Sequence, residues 1–111
     1  MSIKLKELTA LLKTTTLPVY RDIAPVKQVL PYIVYSYISE DHKRASGLIY
    51  KRLPLYQVSL FTEATERDFF QITKLFNDNK VSFGPISTMQ GDENDSTINH
   101  FYTNVRCVED V

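Results

Sequence analysis

The sequence predicts an α+β fold: a mainly antiparallel sheet of four or five strands, with an N-terminal helix and a second helix packed on one face. Three observations carry this expectation. Leu30 to Ile38 (LPYIVYSYI) and Leu55 to Thr62 (LYQVSLFT) are rich in β-branched and aromatic residues, as strands are. A closing stretch alternates cleanly, with Phe101, Thr103, Val105 and Cys107 on one side and Tyr102, Asn104, Arg106 and Val108 on the other. Between them, Phe69, Ile72, Thr73, Leu75 and Phe76 recur at helical spacing. At 111 residues one domain, spanning 1–111, is the natural count, and a chain of this length buries roughly 65 % of its unfolded surface.

Taken in order, residues 3–13 read as a short helix, because Leu5, Leu8, Leu11 and Leu12 gather into one stripe. Thr14, Thr15 and Thr16 are poor helix formers, and Pro18 biases Leu17 toward an extended conformation, so the helix is expected to stop near Lys13. A weak strand is expected around Val19 to Ile23, then a connector bracketed by Pro25 and Pro31, then a strand from Tyr32 to Ile38. The charged run Ser39 to Gly47 (SEDHKRASG) reads as a projecting hairpin loop. Leu48 to Thr62 returns as an extended segment in which Pro54, lacking an amide donor, implies a bulge or an edge. Thr62 or Thr65 can cap the next helix, which runs to Asn77. Val81 to Met89 reads as a strand, with Gly84 and Pro85 marking a bulge or exposed edge, and Gly91 to Thr97 as an acidic, mobile loop.

Composition narrows the function. Thirteen Lys and Arg balance thirteen Asp and Glu, so no net charge draws the chain toward nucleic acid. Charges interrupt the apolar pattern of the first residues, as they do not in a signal-peptide core, and no run approaches the ~20 apolar residues of a membrane span, so the protein is expected to stay where it is made. The lone Cys107 excludes an internal disulfide. His42 and His100 stand in no metal-ligand spacing, and three glycines form no phosphate-binding loop, so no metal, no cofactor and no catalytic residue is expected. An enzymatic reading would need His100, seven residues before Cys107, to act as its base.

The sheet itself is the stronger pointer. In the first strong strand Tyr32, Val34 and Ile38 point one way and Ile33, Tyr35 and Tyr37 the other, so bulky residues occupy both faces and both require cover. One helical layer covers one face. The second, carrying Tyr35 and Tyr37 or their alternates with Gln57, Ser59, Tyr102 and Arg106, is polar-aromatic, as subunit interfaces often are. Phe70 lies ~100° from Phe69, outside the helix stripe, and either extends the core or meets a neighbour. His42, Lys43 and Arg44 on the hairpin, and Asp92 and Glu93 in the acidic loop, read as solvated loop charges or as contact tips for a partner.

The succession of a short helix, LPVYRDIAP, LPYIVYSY, a charged hairpin, YQVSLFTE leading into the FFQITKLF helix, and a closing strand resembles the tail-terminator or tail-completion proteins of long, flexible-tailed bacteriophages, in the small form found in phages and prophages of Gram-positive bacteria. The resemblance spans nearly the whole chain and rests on order and pattern. It implies a structural, non-enzymatic subunit that assembles in the host cytoplasm into a ring, expected to be a hexamer, on the head-proximal end of the tail tube in the virion. Its implied partners are other copies of itself, the tail tube protein and the head connector. Two alternatives remain beside it: another neck or head-closure component, and a small dimeric ligand-binding or regulatory α+β domain.

Overall fold

The computed structural model describes residues 3–25, 29–89 and 98–111. Among these residues the chain forms, in order, α1 (Leu5–Lys13), β1 (Val19–Arg21), β2 (Tyr32–Ala45), β3 (Leu48–Thr62), a 3-10 turn (Glu66–Phe69), α2 (Phe70–Asp78), β4 (Ser87–Met89), β5 (Asn99–Arg106) and β6 (Glu109–Asp110). The α+β class is as the sequence predicts. The sheet, however, has six strands in the order β1-β2-β3-β5-β4, with β6 also paired to β3, against the four or five expected. The β1–β2 pair is parallel and the other pairs are antiparallel.

Each helix forms where its apolar stripe can reach the sheet. In α1, Leu8 and Leu12 are fully buried, and the helix start is fixed by two carboxylates: Glu7 accepts from the Lys4 amide at 3.0 Å and Glu109 from the Leu5 amide at 2.7 Å. Acceptors here satisfy amides that have no partner inside the helix. In the second helical segment Phe69, Ile72 and Phe76 are buried, and Thr65 Oγ1 accepts from the Arg67 amide at its start. These residues join Ile33, Tyr56, Val58, Leu60, Phe101, Val105 and Cys107 in one core, so both helices lie on one face of the sheet. No helix among the described residues is long and apolar enough to cross a membrane.

Two elements differ from the sequence reading. The charged run read as a loop from Ser39 to Gly47 is mostly strand: β2 continues to Ala45, and only Ser46 and Gly47 turn. Both have positive φ, 53° and 81°, the backbone shape of a two-residue hairpin turn whose twist matches its strands. The hairpin outruns the rest of the sheet, because β5 flanks β3 only from Leu55 to Thr62 and β6 only at Lys51 and Arg52. With water on both faces, charged side chains occupy strand positions there at little cost. Secondly, Val81 to Met89 is a strand only at Ser87–Met89. The preceding part is tied to β5 by single contacts, the Gly84 amide donating to the Asn104 carbonyl at 2.9 Å and the Thr103 hydroxyl to the Gly84 carbonyl at 2.8 Å. The irregularity expected at Pro54 falls on its partner strand, where the register shifts between Tyr37 and Ser39.

Candidate functional site

Strand register decides which side chains share the face away from the helices. Tyr32, Phe61, His100 and Met89 lie in one row across β2, β3, β5 and β4; Val34, Ser59, Tyr102 and Ser87 form the next row; Ser36, Gln57 and Asn104 form a third. Aromatic rings run continuously through the first two rows. Tyr32 stacks on Phe61 at 5.1 Å, Phe61 on His100 at 4.3 Å, and His100 meets Tyr102 at 5.4 Å, while Tyr20 of β1 meets Tyr32 edge-on at 6.2 Å. Such packing orders the rings; Tyr32, Phe61, His100 and Tyr102 are half-buried, and Val34 and Ser59 between them are buried. The described helices all lie on the opposite side.

This face also holds two unmet polar atoms. His100 Nε2 and Asn104 Oδ1 are buried and have no hydrogen-bond partner among the described residues. Burial lowers the His100 imidazole below its ordinary value, so the ring tends to remain neutral against Phe61.

The sequence-predicted contact residues do not gather in one place. Tyr102 is on the open face, as expected. Tyr35 is not: it pairs with Val58, packs against the core and takes the Arg21 guanidinium over its ring at 5.8 Å. Tyr37 shares that side, exposed, edge-on to Tyr56 at 5.8 Å. Both fall on the helix side because Tyr32 and Val34, the alternates, take the open one.

Arg106 is at the root of the hairpin, where Nη1 donates to the Leu53 carbonyl at 2.7 Å and Nη2 lies 3.6 Å from Asp41. His42 belongs to a cluster further along. Its Nε2 is 2.7 Å from Glu40 Oε2, and Arg52 grips the same carboxylate with Nη2 at 2.8 Å and Nε at 3.2 Å. The Arg52 and His42 hydrogen bonds hold the Glu40 carboxyl down to about 2, so Glu40 stays a carboxylate through ordinary pH. It braces a two-stranded arm that has no sheet neighbour on its β2 side. Lys43 and Arg44 are exposed beyond it, and Asp92 and Glu93 lie outside the described residues.

Phe70 is 59 % exposed while its neighbour Phe69 is 1 % exposed. Phe70 therefore does not extend the core. With Phe69, Phe83, Ile86, Phe101 and Glu66 it lines an open groove of about 620 Å³ between the helix start and the β4 segment. Sequence reasoning missed this groove and the Tyr32–Phe61–His100 row, since both depend on registers between segments far apart in the chain. Phe70's place outside the helix stripe was the available signal.

The pair on which an enzymatic reading would rest does not meet. His100 is on the open face, whereas Cys107 is buried in the core on the other, its thiol pushed up to about 12 by burial and by Glu109. No protein-family model and no curated protein matches this chain.

Proposed function

We propose that this protein is a structural subunit of a bacteriophage tail, one that forms a ring at the head-proximal end of the tail tube, ends tube growth and offers a surface to the head connector. The observation that carries the reading is the aromatic face of the sheet: Tyr32, Val34, Phe61 and Tyr102 lie opposite the helical layer. A half-buried aromatic face with polar side chains beside it has the composition of an association surface. Neighbouring copies provide its cover, and a ring follows where this face meets a different patch on the next copy and the contact repeats around an axis. The element order quoted above supplies the phage context, with the tail tube and head connector as partners, the virion as location and no catalytic role. A head-closure component of the neck uses the same surface against a different partner. The dimeric ligand-binding alternative draws instead on the groove beside Phe70.

The test is polymerisation of tail tube protein with and without this chain, with lengths measured by electron microscopy. Added chain should arrest growth and appear as a disc at one tube end, and Phe61→Lys should abolish the arrest while the far-ultraviolet circular dichroism stays native. Tubes of unchanged length with the wild-type chain would overturn the proposal.

A further inference from the structure

We infer that the tip of the β2–β3 hairpin, led by Leu48 and Tyr50, docks into the groove beside Phe70 of a second copy of this chain. The inference rests on the self-association proposed above and adds to the aromatic face a second contact, made by other residues. The tip is an apolar knob: Leu48 is 74 % exposed and Tyr50, the extra residue where the hairpin register shifts, is 53 % exposed. Lys43 and Arg44 flank it, and neither forms an ion pair among the described residues. The groove is the matching hollow, walled by Phe69, Phe70, Phe83, Ile86 and Phe101. Among the described residues its one charged lining side chain is acidic, the exposed Glu66, with exposed Glu63 three residues before it in the chain. A basic knob and an acidic hollow are complementary, which favours this pairing over one with a neutral ligand.

Topology forbids the contact within one chain. β3 begins at Leu48, at the tip, and ends at Thr62, which leads into the groove-lining turn at Glu66–Phe69. Its 15 residues put the two patches roughly 46 Å apart, along a molecule whose longest dimension is 52 Å. The knob can therefore enter only another copy's groove. The contact is head-to-tail and repeats until a ring closes. The arm is already stiff, through the Glu40–Arg52–His42 clasp and Arg106 on the Leu53 carbonyl, so little ordering is needed on docking.

Sedimentation equilibrium of Leu48→Asp and Phe70→Asp tests this. Both sites are exposed, so circular dichroism should confirm that both variants fold. Each alone should raise the dissociation constant about thirtyfold or more, the size of a central contact residue. Mixed together, the two variants should form a pair of wild-type strength that grows no further, because Phe70→Asp keeps a good knob and Leu48→Asp a good groove. Lys43→Glu with Arg44→Glu should weaken association, and Glu63→Lys with Glu66→Lys in the other copy should restore it. Wild-type assemblies unaffected by either single variant would overturn this contact and leave the ring proposal standing. A wild-type chain that stays monomeric at every concentration would overturn both. A mixed pair that forms as described, with tube growth unaltered by the wild-type chain, would support the docking and remove the tail assignment.

Discussion

Two adjacent phenylalanines should respond very differently to truncation. Phe69 is 1 % exposed against the sheet and Phe70 is 59 % exposed at the groove. Phe69→Ala leaves a cavity in the core and should cost about 3–5 kcal/mol. Phe70→Ala removes a ring less than half buried and should cost about 1 kcal/mol, since full burial of such a side chain is worth roughly 1.5–3 kcal/mol. For 111 residues the unfolding entropy is about 0.23 kcal/mol/K, so the expected losses in Tm are about 17 °C and about 4 °C. Urea titration and thermal melts, at a concentration where sedimentation shows monomer, measure both. Against a total stability of about 5–15 kcal/mol for a domain, the Phe69 loss is unmistakable. Equal shifts, or a larger one for Phe70, would mean that the helix presents a different stripe to the sheet, and the groove assignment would fall with it.

Two further predictions concern titratable groups. Burial lowers the folded-state pKa of His100, so the unfolded chain binds this proton more readily; its contribution to stability is full above pH 6.5 and declines as pH falls below it. His100→Phe should continue the stack on Phe61 and flatten the fall in urea midpoint below pH 6.5, and a slope identical to wild type would contradict the placement of the imidazole. Cys107, buried with its thiol pushed up to about 12, should react with a disulfide reagent at pH 8 only through opening of the fold, at a rate that rises with urea. Labelling as fast as a free thiol would show that this strand end is not in the core.

What was legible in the sequence was what repeats locally. The stripe from Phe69 to Phe76 and the alternation from Phe101 to Cys107 each state their own buried side, because helical and strand periods map neighbours onto faces directly. The hairpin was misread for a physical reason. Ser39 to Ala45 is charged enough to suggest a loop, yet an arm beyond the sheet has no dry face, and His42 pairs with Arg52 and Lys43 with Lys51 in regular register. Charge reports solvation there, not conformation. Alternation alone leaves Tyr35 and its alternates undecided, because bulky residues occupy both faces of β2; Leu60 and Val58 opposite Ile33 and Tyr35 settle it. The groove joins Phe70 to Phe83, Ile86 and Phe101, and nothing local couples those segments.

The account depends most on the aromatic face being covered in the assembled state. Hydroxyl-radical footprinting of the wild-type chain across its association range measures that cover directly, reading the oxidation of Phe61 and Tyr102 against exposed Tyr37 on the other side of the sheet. Oxidation of Phe61 and Tyr102 should fall as assemblies form while that of Tyr37 changes less. Equal reactivity of Phe61 and Tyr102 in monomer and assembly would contradict the account.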